Sequence, residues 1–127
     1  MEDEPQPLSF VVVATPDLVP GHKLSVTEVG LDVVAVRVEY EIVPPLARGI
    51  LGFSWFGEAR DDLGNRYEDV GSAFGPSADG ERTEGTLSLP LPVPEASVLY
   101  VRLLPGNDSA APRSEGPAYE LRVSLVL

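Results

Sequence analysis

Apolar and polar residues alternate with period two along most of this chain, and no longer window carries the 3.6-residue apolar repeat of an amphipathic helix. Residues 33–43 show it best, with Val34, Val36, Val38, Tyr40 and Ile42 on one face and Arg37, Glu39 and Glu41 on the other. Residues 50–60 place Leu51, Phe53, Trp55, Gly57 and Ala59 together, opposite Ile50, Ser54, Phe56, Glu58 and Arg60. Leu99, Val101 and Leu103 alternate with Val98, Tyr100 and Arg102, and Tyr119, Leu121, Val123, Leu125 and Leu127 alternate with Glu120, Arg122 and Ser124. Weaker strand patterns occupy residues 8–14, 23–29, 65–70 and 83–89. Proline and glycine clusters at 16–21, 44–45, 71–80, 90–94 and 105–117 punctuate them.

These patterns predict an all-β chain: a single antiparallel β-sandwich domain of seven to eight strands over residues 1–127, with residues 1–7 a flexible tail. Trp55, Phe53, Val36, Val38, Tyr40, Leu87, Val101, Leu121 and Val123 form the expected core. The stretch 71–85, "GSAFGPSADGERTEG", is rich in glycine and reads as a long mobile loop.

Across residues 52–102 run an aromatic strand "GFSWFGEA", a hairpin "DDLGNRYED", a glycine-rich connection, a strand "EGTLSLPLP" and then "EASVLYVRL". This series resembles the small immunoglobulin-like domains of bacterial proteins of unknown role, often lipoprotein ectodomains. It covers about half the chain as a pattern of strand spacings, with Trp55 mid-strand where such sandwiches put a core tryptophan, although no cysteine pair flanks it. The resemblance implies an immunoglobulin-like sandwich with a binding or scaffolding role and carries over no catalytic residues.

Charge and composition narrow the chemistry. The net charge of −11 repels phosphate backbones and anionic lipid headgroups, which argues against nucleic acid as a partner. With no cysteine there is no disulfide, thiolate metal site or cysteine nucleophile, and Lys23 is the only lysine. The acidic start "MEDEPQPLSF" is unlike a secretory signal, and the apolar run after it is too short to span a membrane. The expectation is a cytoplasmic protein without membrane insertion, or an exported one if an N-terminal signal has been removed.

Asp61, Asp62, Asn65, Glu68 and Asp69 offer the hard oxygen ligands that calcium prefers, yet their spacing is not that of a helix-loop-helix calcium loop. The simpler expectation is a hairpin in which Asp61 or Asp62 opens the turn, Gly64 or Asn65 takes positive φ and the second strand leaves from Arg66. Acid–base work by the paired carboxylates would need a raised pKa, which a solvated tip does not provide. His22, the only histidine, lies in "VPGHKLS" without a serine elbow or a metal-binding companion and reads as a solvent-facing loop residue. Pro90, Pro92 and Pro94 mark a strand leaving one sheet for the other, and Asn107, Asp108 and Ser109 match a glycosylation acceptor by chance.

Apolar residues exceed what one core needs. The run "SFVVVA" is apolar on both faces, and Val33, Val43, Ile50, Phe56 and Val126 fall on faces expected to be wet. Phe74, alone in its glycine-rich stretch, is either an edge plug or a binding anchor. These features point to a non-catalytic interaction or scaffolding module that meets a protein partner or a second copy through Ile50, Phe56 and Phe74 and the acidic loops. The alternative is a calcium-dependent module built on Asp61, Asp62, Asn65, Glu68 and Asp69; the leading reading needs no cofactor.

Overall fold

The computed structural model describes residues 6–15, 21–45, 54–68, 70–106 and 118–125. They form ten strands in two antiparallel sheets, with no helix among them: β1 (Gln6–Pro7), β2 (Phe10–Ala14), β3 (Lys23–Leu31), β4 (Ala35–Val43), β5 (Ser54–Asp61), β6 (Arg66–Glu68), β7 (Gly71–Pro76), β8 (Thr83–Pro90), β9 (Val98–Gly106) and β10 (Tyr119–Ser124). Sheet 1 runs β1-β3-β4-β8-β7 and sheet 2 runs β2-β10-β9-β5-β6. The chain is therefore an all-β sandwich, as the period-two alternation requires, and no helix among the described residues is long and apolar enough to cross a membrane.

Alternation decides which side chains meet in the middle. Val36, Val38, Tyr40 and Ile42 of β4 with Leu87 and Leu89 of β8 point inward from sheet 1, and Leu99, Val101, Leu103, Leu121 and Val123 answer from β9 and β10. Seven of the nine residues expected in the core are thus buried: Val36, Val38, Tyr40, Leu87, Val101, Leu121 and Val123. Phe53 and the Trp55 side chain lie outside the described residues. Strand β3 changes phase midway, because Leu24 and Val26 face inward, a bulge at Thr27 follows, and Val29 then faces inward with Glu28 turned out. Without that bulge Glu28 would enter the core.

The strand count exceeds the expected seven to eight for two backbone reasons. Residues 71–80, expected as part of a mobile loop, instead supply the edge strand β7, held by ladder pairing to β8 and not by an apolar pattern of its own. A tight turn then closes the β7–β8 hairpin, where Ser77 N–H donates to Arg82 O at 2.8 Å and Gly80 takes a φ of 74°. Before β2, Gln6 and Pro7 pair with Leu31 and Gly30 of sheet 1, so the N-terminal segment touches both sheets in turn.

Val34 does not share the inner face of β4. It sits in the β3–β4 turn with Val33, 65% and 84% exposed, because Asp32 folds the chain there before the strand begins. The Asp32 carboxylate accepts the Val34 and Ala35 N–H groups at 2.8 and 2.9 Å and also binds Arg37. The Val34 N–H, the Arg37 guanidinium and the Ala35 N–H together hold its pKa below the usual carboxylate value.

Candidate functional site

The β5–β6 hairpin holds most of the acids singled out in the sequence. Asp61, the last residue of β5, is 2% exposed and faces inward, in register with Leu99. Its Oδ1 accepts the N–H groups of Leu63 and Asn65 at 2.9 and 2.8 Å, and its Oδ2 accepts Asn65 Nδ2 at 2.9 Å and the Tyr67 hydroxyl at 2.7 Å. Backbone bonds from Asp61 N–H to Asn65 O and from Gly64 N–H to Asp61 O close the turn, and Gly64 takes the positive φ of 95°. Burial alone would raise the Asp61 pKa, but the four donated hydrogen bonds outweigh it and bring the group down from 3.8 to about 2. At neutral pH Asp61 is a carboxylate with its lone pairs already committed to protein donors, which is the hairpin arrangement expected from the residue types.

Tyr67 passes the link on. Its hydroxyl also accepts Val93 N–H at 3.1 Å, and burial together with the bond to Asp61 raises its pKa. Asp62 faces outward, where its Oδ1 accepts Ser97 N–H at 3.0 Å and its own N–H donates to Val98 O at 3.1 Å. Both acids of the pair therefore tie the hairpin to the β8–β9 connection across a long sequence separation. Glu68 lies on β6 directly opposite Glu58, and Asp69 lies outside the described residues. Among the described residues no group of three or more acidic or histidine side chains converges to hold a metal ion.

The other candidates are separated from this hairpin. His22 Nδ1 donates to Pro44 O at 2.7 Å, joining the start of β3 to the end of β4. Ile50 lies outside the described residues, and of Phe56 only the backbone is described, opposite Leu104 on β9. Leu104 points to the outer side of sheet 2 yet is buried, so that end of the face is covered. Phe74, on edge strand β7, is 40% exposed and in register with Gly85 and, beyond it, Tyr40.

Open chemistry collects on the outer face of sheet 2 instead. Strand register sets two rows across it. The first runs Glu68, Glu58, Arg102, Glu120, and Arg102 bridges Glu58 at 2.8 Å and Glu120 at 3.3 Å, so its charges are largely matched. The second runs Arg66, Arg60, Tyr100, Arg122 and ends at Val11. Arg60 and Arg122 are exposed, no ion pair to either is present among the described residues, and Tyr100 between them is 46% exposed. A shallow groove of about 620 Å³ runs over this face, lined by Val13, Arg60, Tyr100 and Arg122 among others. Val13 reaches it because it is the extra residue of a bulge where β2 pairs with β10.

No family model matches the chain, and comparison with curated proteins and with solved structures gives no significant match.

Sequence reasoning located the hairpin and missed the row. Arg60, Tyr100 and Arg122 were each assignable to a wet strand face by alternation, but which residues share a row depends on pairing between strands far apart in sequence. The available signal was compositional: four of the chain's eight arginines, Arg60, Arg66, Arg102 and Arg122, come from four of the strand patterns.

Proposed function

We propose that this chain is a non-catalytic protein-interaction module of immunoglobulin-like architecture, whose recognition surface is the outer face of sheet 2 and whose partner presents carboxylates. The single observation that carries the reading is the row Arg60, Tyr100, Arg122, in which two exposed arginines with no ion pair among the described residues flank an exposed tyrosine. Arginine forks accept carboxylates in bidentate geometry, and an exposed tyrosine between them adds contact area at little cost in conformational freedom. In a chain of net charge −11, a local cationic strip has few alternative explanations in bulk solubility.

The strand order supports the architectural part. The neighbours β3-β4-β8-β7 follow the A-B-E-D order of immunoglobulin-like sandwiches, and β10-β9-β5-β6 follows G-F-C-C′, with β1 and β2 added at the A and G edges. Trp55 then lies on the strand that corresponds to C. The non-catalytic part rests on the acids, since a carboxyl held at about 2 and bound by four donors is a poor proton donor or acceptor near neutrality.

The test is fluorescence anisotropy with a labelled oligo-glutamate peptide, with oligo-lysine as control. Wild type binds oligo-glutamate and not oligo-lysine, affinity falls as salt rises, and Arg60→Ser/Arg122→Ser reduces binding at least about tenfold. Equal binding by that variant would refute the assignment of the surface.

A further inference from the structure

The outer face of sheet 1 is built in the opposite sense. Register there sets Glu28 opposite Glu39 on β3 and β4, and Glu41 opposite Glu84 on β4 and β8. These are two like-charge cross-strand pairs, the acidic counterpart of Arg60 and Arg122 in their row on sheet 2. Arg82 partly neutralises the second pair, reaching Glu41 at 3.3 Å and Glu84 at 2.8 Å. Glu28 and Glu39 are exposed, and no cation pairs with them among the described residues. A groove of about 400 Å³ opens on this side, lined by Glu39, Glu41, Glu84 and Thr86 among others.

Each outer face thus carries like charges set in register, with opposite signs on the two faces. A sandwich holds its two outer faces back to back, so the acidic face of one molecule cannot reach its own cationic face. It can reach that of another copy. We propose that the chain associates head to tail with itself, the Glu28 and Glu39 face of one copy docking on the Arg60, Tyr100 and Arg122 face of the next. The occupant proposed here for sheet 2, a second copy, specifies the carboxylate-bearing partner of the preceding section and rests on that reading. Because the two surfaces differ, the contact is heterologous, so assembly continues beyond two copies and each added copy exposes a fresh face of either sign. Contacts between exposed charges are individually weak and screened by salt, which makes the association dependent on concentration and ionic strength.

Sedimentation velocity over a concentration series at low and at high salt tests this. The full chain forms a ladder of species at low salt that dissociates to monomer at high salt. Neither Glu28→Gln/Glu39→Gln nor Arg60→Ser/Arg122→Ser associates alone, whereas an equimolar mixture of the two forms a dimer and stops there, because one intact face of each sign remains. Wild type that stays monomeric at low salt overturns the proposal, as does association that either variant leaves unchanged or a mixture that fails to dimerise. Oligo-glutamate binding separates the two levels: a monomeric wild type that still binds the peptide through Arg60 and Arg122 refutes self-association alone, and one that binds nothing refutes both.

Discussion

Arg60 and Asp61 are sequence neighbours on β5 and point to opposite sides of sheet 2, and their fates show how alternation sorts charge into structure and surface. Asp61 turns inward and has both oxygens occupied by Leu63, Asn65 and Tyr67, while Arg60 turns outward into a row with Tyr100 and Arg122. The acid-rich stretch looks like chemistry in the sequence but serves to hold a hairpin. The arginine beside it looks like ordinary surface and lines the groove. A charge buried and fully hydrogen-bonded is committed to the fold, whereas an exposed one without an ion pair is available to a partner.

The comparison predicts that substitutions on the inner side act on stability and those on the outer side on binding. The largest effect belongs to Leu87→Ala, which empties a fully buried site beneath β5 and should cost about 2–5 kcal/mol in denaturant unfolding. Gly57→Ala follows from the same contact. A Cβ at Gly57 would run into both δ-methyl groups of Leu87, so the variant should lose about 1–3 kcal/mol. In Gly57→Ala/Leu87→Ala the loss should be smaller than the sum of the two, because the smaller side chain makes room for the new methyl.

Asp61→Asn sharpens the contrast at the hairpin itself. The amide places an N–H₂ group where donors already point, so the melting temperature at pH 7 should fall by several degrees. The pH dependence has a definite sign. A carboxyl whose folded pKa lies below its ordinary 3.8 stabilises the fold above that value and loses the contribution as pH falls towards about 2. Wild type should therefore weaken over that window, with Asp32 and Asp79, also lowered, adding to the slope, and Asp61→Asn should respond less steeply. A smaller effect still is expected from calcium. With the Asp61 oxygens occupied, millimolar calcium should leave the melting temperature unchanged, and a rise with concentration would restore the ion-binding alternative.

Local features of this fold were legible in the sequence because local patterns control them. Alternation identified β4, β5, β9 and β10, and the sequence of aspartates, Gly64 and Asn65 identified the β5–β6 turn. Strand β7 was not legible, since Gly71, Ala73 and Gly75 have no apolar period and the strand exists through pairing with β8. The inward turn of Asp61 was hidden for a related reason: a tyrosine six residues on and a turn of N–H groups make a charged inner position tolerable, and such compensation is a property of the closed hairpin. The cationic row was hidden because Arg60, Tyr100 and Arg122 come together only once β5, β9 and β10 are in register.

Among the substitutions, the smallest stability effect should come from the outer face. Arg60→Ser/Arg122→Ser removes exposed side chains with no ion pair among the described residues, so unfolding should stay within about 0.5 kcal/mol of wild type. The division of labour on β5 is tested most directly by titrating labelled oligo-glutamate against Asp61→Asn and Arg60→Ser/Arg122→Ser, both held well below their melting temperatures. Asp61→Asn should bind the peptide as wild type does and the arginine variant should not; loss of binding in Asp61→Asn with binding retained in the arginine variant would contradict the account.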